Sequence, residues 1–146
     1  MQLFQASLQW QLVQLGESDR LKTPKQIVAY MTGAFADCAD EQSLWLICFS
    51  VNRWVISRTC LKTGPLVTAC PHLRDVLRVS ILTEARAIAI VRGEPTGKVA
   101  PDAADCRLAQ RLSHAATALE IDWVDYLVLS TREDAKGPEY SALSVR

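Results

Sequence analysis

At 146 residues, with 49% hydrophobic and 22% charged side chains, the chain has the composition of a folded domain and too little length for two independent cores. Sixteen basic residues balance sixteen acidic ones, so no net field recruits nucleic acid or an anionic lipid surface. Five cysteines, odd in number and without a CxxC pair, argue against a disulfide framework and a structural zinc site. They read as small hydrophobes, reduced in a cytoplasm. No apolar run reaches bilayer length, and Met1-Gln2-Leu3-Phe4-Gln5 lacks the basic region of a secretory signal.

In chain order, Ala6 to Leu15 mostly alternates apolar with polar, the period of a half-buried strand. Thr23-Pro24 predicts a helix start, with Thr23 as cap and Pro24 at the first helical position. Ile27, Tyr30, Met31 and Ala34 form its apolar stripe. Two strands follow, Leu44 to Phe49 and Trp54 to Cys60, joined by a turn at Val51-Asn52-Arg53. Gly64-Pro65 breaks the pattern. A second helix over Pro71 to Glu84 places Leu73, Val76, Leu77, Ser80 and Ile81 on one face.

Ala87-Ile88-Ala89-Ile90-Val91 reads as a strand buried on both faces, leading into a loop that begins at Arg92. A third helix starts near Pro101-Asp102, with Leu108, Leu112, Ala115, Ala116 and Leu119 inward, and strands at Trp123 to Leu129 and Tyr140 to Val145 complete the chain. Strands alternating with helices predict one α/β domain over residues 1–146, a central mixed sheet flanked by helices.

Ligands in such folds gather at the carboxyl ends of strands, which directs attention to Arg92-Gly93-Glu94-Pro95-Thr96-Gly97-Lys98. Gly97-Lys98 is not a phosphate loop: Arg92 stands where its first glycine must be, and Val99 where its metal-binding hydroxyl must be. The two histidines, His72 and His114, fall on the second and third helices, where neither can be tied to a nucleophile.

The run from Arg92 to Gly97, followed by Pro101-Asp102-Ala103-Ala104-Asp105, resembles the signature of RadC-like JAB domains, a metallo-isopeptidase fold. There the pattern is His-x-His-Pro-Ser-Gly and then Pro-Ser-x-x-Asp, and Pro95, Gly97, Pro101 and Asp105 match it without a gap. Gln42 to Cys48, Gly64, His72 to Arg78, Trp123 to Tyr126 and Lys136 to Ser141 resemble further segments of the family in the same order.

In that family two histidines and the aspartate hold zinc, and an upstream glutamate is the general base. The resemblance therefore implies a dismantled site, because Arg92 and Glu94 replace the histidines, Gln42 the glutamate and Asp102 the loop serine, leaving Asp105. Arginine offers no lone pair to a metal, and glutamine cannot accept the catalytic proton. A one-residue slip would put Glu41 at the base position, but it would invert every side chain of the following strand.

These substitutions lead us to expect a protein without catalysis, metal or cofactor, acting through a protein partner or a second copy, with Arg92 paired to Asp105, Glu94 or both. The rival expectation is a hydrolase with a carboxylate site from Glu41, Glu94 and Asp105. A DNA-repair accessory role rests on the family label alone, since the balanced charge gives it no support.

Overall fold

The computed structural model describes residues 1–5, 19–64, 71–132 and 137–143. The expected strand over Ala6 to Leu15, Cys70 and the end of the final apolar run lie outside them.

Helix α1 spans Pro24–Met31. Thr23 Oγ1 accepts the Gln26 N–H at 3.3 Å, and the Gln26 side chain accepts the Thr23 N–H at 3.2 Å. This reciprocal box satisfies donors that a helix start otherwise leaves unpaired. The helix stops short of Ala34, because Thr32 leaves helical geometry and Gly33 adopts φ 87°.

Strand β1 (Ser43–Phe49) turns through Val51–Arg53 into β2 (Val55–Thr63). β2 runs past the expected end at Cys60 because β1 offers a partner as far as Ser43, which faces Thr63. Helix α2 covers Leu73–Leu82, with His72 at its cap rather than inside it. Val76 and Ser80 are buried and Val79 packs on the core, but Ile81, expected inward, is exposed. Ser80 and Ile81 lie a hundred degrees apart around the helix. Ser80 takes the inward position and donates its hydroxyl to the Val76 carbonyl at 3.0 Å.

Strand β3 is Ala87–Glu94, which corrects the placing of Arg92 and Glu94 in a loop. Arg92 and Gly93 pair with Leu44 and Ser43 on one side, while Arg92 to Glu94 pair with Val128 to Ser130 on the other. Partners on both sides carry the ladder through a glycine that reads locally as a break. Helix α3 (Ala103–Ala118), β4 (Asp122–Ser130) and β5 (Tyr140–Leu143) follow. Leu119, also expected inward, is the C-cap of α3 and is exposed.

The sheet has five strands in the order β2-β1-β3-β4-β5. β3 and β4 are parallel, joined by α3, and the other pairs are antiparallel. On one face, Val76 of α2 and Leu108, Leu112 and Ala116 of α3 pack against Leu44, Leu46, Ile88 and Ile90. On the other, Ile27, Val28 and Met31 of α1 pack against Ile47, Ala89 and Leu127. The fold is thus a single α/β domain with a mixed sheet flanked by helices, as its sequence pattern predicts. Ser43, Glu94 and Ser130 mark one end of the sheet, and Phe49, Ala87 and Asp122 mark the other. Among the described residues no helix is long and apolar enough to cross a membrane.

Candidate functional site

Arg92 lies on the central strand and is only 3% exposed, so its permanent charge must be paired within the protein. Its Nε donates to Asp105 Oδ1 at 2.7 Å and its Nη2 to Asp105 Oδ2 at 2.8 Å, while Nη1 reaches Glu94 Oε2 at 3.3 Å. Asp105, fully buried, is delivered by the first turn of α3. Asp102 caps that helix by accepting the Asp105 N–H at 2.8 Å, and the Asp102 N–H returns a bond to Asp105 Oδ2 at 2.9 Å. Tyr126 on β4 adds its hydroxyl to Asp105 Oδ1 at 2.6 Å.

Asp105 therefore accepts from two guanidinium nitrogens, a phenol and a backbone amide. Burial alone would raise its pKa, but the Arg92 and Tyr126 hydrogen bonds, the Asp102 amide and the Arg92 charge outweigh it and hold the carboxyl below the usual range. Tyr126 is pushed far up by burial and by the adjacent Asp105 carboxylate, and it stays a donor.

Glu94 closes the cluster toward the surface. Its carboxylate accepts from Gln42 Nε2 at 3.1 and 3.3 Å and from Thr96 Oγ1 at 3.1 Å. Gln42, Arg92, Glu94, Asp102 and Asp105 thus converge at one end of the sheet, from β3, from α3 and its cap, and from the residue that leads into β1. It is Gln42 that reaches Glu94, whereas Glu41 is exposed and donates its backbone N–H to the Cys38 carbonyl. Gln42, not Glu41, is thus the residue brought into the cluster.

Two neighbouring features hold this end together. A Cβ added to Gly93 would lie 2.7 Å from Phe35 Cε1 and 2.8 Å from Ser43 Oγ, so only glycine fits between Arg92 and Glu94. Arg132, just beyond β4, donates from Nε to the Pro95 carbonyl at 2.9 Å and passes beneath Gly97.

Sequence reasoning missed Tyr126 and Thr96 as members of the cluster. Tyr126 carried no signal of its own, because a tyrosine within an apolar strand reads as packing. His72 and His114 lie on α2's cap and α3's exposed side, away from these contacts.

The residues present do not fit a zinc ion. Both Asp105 oxygens are bound by the Arg92 fork, and a divalent cation placed there would meet a fixed positive charge. Among the described residues no group of three or more His, Cys, Asp or Glu side chains is placed to hold a metal.

A mixed α/β sheet whose polar cluster joins the end of a buried strand to the first turn of the next helix is consistent with a JAB-type domain. A family model for the RadC-like JAB domain matches residues 21–137, and the chain belongs to that family. It is 28% identical over 107 residues to a UPF0758 protein of Chlorobium chlorochromatii, covering 73% of this chain and 48% of that one. It is 29% identical over 115 residues to a UPF0758 protein of Pelobacter propionicus, covering 79% and 50%. With a UPF0758 protein of Finegoldia magna the identity is 24% over 117 residues, covering 80% and 52%. The chain thus spans about half the length of these curated relatives.

Proposed function

We propose that this chain is a non-catalytic RadC-like JAB domain that works by binding another protein or a second copy of itself. The observation carrying this reading is the Arg92 guanidinium, seated on both oxygens of Asp105 and touching Glu94. Zinc hydrolysis needs lone-pair ligands, an open coordination position and a base for the bound water. At the corresponding positions stand a cation without lone pairs, a glutamate already accepting from Arg92, Gln42 and Thr96, and an amide that takes no proton. The rival carboxylate site of Glu41, Glu94 and Asp105 lacks a similar support, since Glu41 is exposed and Asp105 is committed to Arg92.

Metal analysis of the purified protein, together with its melting temperature with and without added zinc, tests the proposal. A ligand that binds only the native state raises the melting temperature. The expected result is no stoichiometric zinc and no zinc-dependent shift. A clear rise that Asp105→Ala abolishes would overturn the reading in favour of a hydrolase.

A further inference from the structure

Among the described cysteines, Cys38 and Cys60 share one side of the sheet and the others lie on the opposite side. Cys48 points from β1 into the core beneath α2 and α3, and Cys106 stands on α3 itself. Cys60 lies on β2 directly opposite Trp45 of β1. Directly opposed residues of an antiparallel pair project from the same face, with Cβ atoms about 4.5–5.5 Å apart. Trp45 packs on the α1 face, where its ring meets Phe35 edge-on at 5.9 Å between centroids. Cys38 packs on that same cluster, and its N–H donates to the Phe35 carbonyl at 3.0 Å. The two thiols therefore flank one indole, Cys60 from the edge strand and Cys38 from the connection between α1 and β1.

Neither thiol is sealed off from solvent. Cys60 is exposed, Cys38 is half-buried, and both are free. The Cys60 Sγ has only a long contact with the Lys62 carbonyl, at 3.6 Å. Partial burial of its sulfur pushes the Cys60 thiol up, and a charge on Cys38 pushes it the same way, as expected of two sulfurs that act on each other through space.

We infer that Cys38 and Cys60 form a reversible disulfide that fastens the α1–β1 connection to the edge strand when the protein meets a peroxide. Disulfides of reducing compartments are of this transient, redox-sensing kind. One thiol and hydrogen peroxide give a sulfenic acid and water. The second thiol then attacks that sulfur, forming the S–S bond and releasing a second water. Two electrons pass from the thiols to the peroxide, and a dithiol reductant reverses the step by thiol exchange. The fastened segment carries Phe35, whose ring lies against Gly93 between Arg92 and Glu94, and it leads into Gln42, which binds Glu94. Oxidation thus stiffens the wall of the charged cluster without altering any of its members. The inference holds whether or not the chain is catalytic.

Peptide mapping of the full chain before and after hydrogen peroxide, with remaining thiols alkylated, tests it. The expected product has lost two free thiols, carries no bond between chains, and yields one linked peptide joining Cys38 to Cys60. Its melting temperature should rise by roughly 5 °C or more, because the bond closes a loop that holds all of β1. Dithiothreitol should reverse the rise. Cys60→Ser, an exposed change, should melt like the reduced wild type and show no rise with peroxide. Cys38→Ala, which keeps the exposed Cys60 thiol, should lose the rise as well. A link from either residue to Cys48, Cys70 or Cys106, a bond between chains, oxidation of either thiol without a link, or two thiols that survive peroxide would each overturn the inference. So would a Cys38–Cys60 bond that leaves the melting temperature unchanged, because nothing would then be fastened.

Discussion

The guanidinium of Arg92 faces the carboxylate of Asp105 fork to fork, at 2.7 and 2.8 Å, inside the protein rather than at its surface. Bidentate pairing of this kind is among the stronger charge-assisted contacts and fixes orientation as well as distance. Its removal has consequences that depend on which partner is lost.

Arg92→Ala leaves Asp105 and Glu94 buried without their cation. Breaking one side of a buried pair costs about 3–5 kcal/mol, and chemical denaturation should show a loss in that range. Arg92→Ala with Asp105→Ala should cost less than the two single losses summed, because the second change removes the orphan left by the first. Additive losses would show that the pair does not act as a unit.

Asp105 sets the acid limit. Its carboxyl is held below its unfolded value, so the contribution to stability is complete above the unfolded carboxyl pKa of about 4 and is lost as pH falls through the lower, folded value. Tyr126→Phe removes one donor to Oδ1 and raises that folded value. Acid unfolding of the variant should begin at higher pH than in the wild type, on top of a pH-independent loss of about 1–3 kcal/mol. Unfolding followed from pH 7 to pH 2 measures both effects.

Gly93→Ala introduces a methyl group 2.7 Å from the Phe35 ring and 2.8 Å from the Ser43 hydroxyl. Overpacking of this kind costs about 1–3 kcal/mol. Combining it with Phe35→Ala should recover part of the overpacking cost, leaving the double variant more stable than the sum of the single losses predicts. Thermal melts of the three variants check this.

Arg92→His with Glu94→His replaces a cation and a carboxylate by two neutral imidazoles facing Asp105 from β3. Three ligand groups then converge where the guanidinium now sits, and zinc should raise the melting temperature of this variant but not of the parent. Absence of any zinc response would mean that the cluster's geometry, and not only its chemistry, has departed from that of a metal site.

Much of this could be read from the residues because the deciding interactions were local. Thr23-Pro24 announces α1 through a cap whose partner, Gln26, is one turn away. The continuous apolar run Ala87 to Val91 identifies the buried strand. The end of that strand was not legible, since Gly93 and Pro95 suggest a loop while distant partners, Ser43 and Leu129, hold the ladder open to Glu94. Tyr126 escaped for the same reason: its partner Asp105 lies on another element, and a tyrosine within an apolar strand reads as packing. Ile81 and Leu119 obey helical periodicity, but at the ends of their helices no sheet remains beneath them to cover.

Asp105 serves two structures with one side chain, accepting the Asp102 amide that opens α3 and the Arg92 fork that ends β3. The first turn of the helix therefore cannot fray independently of the strand. In isolated helices terminal turns open readily and exchange their amide hydrogens early. Here the Asp105 N–H, held by Asp102 at 2.8 Å, should be released only with the ion pair, making an ordinarily labile helix start one of the slowly exchanging parts of the molecule.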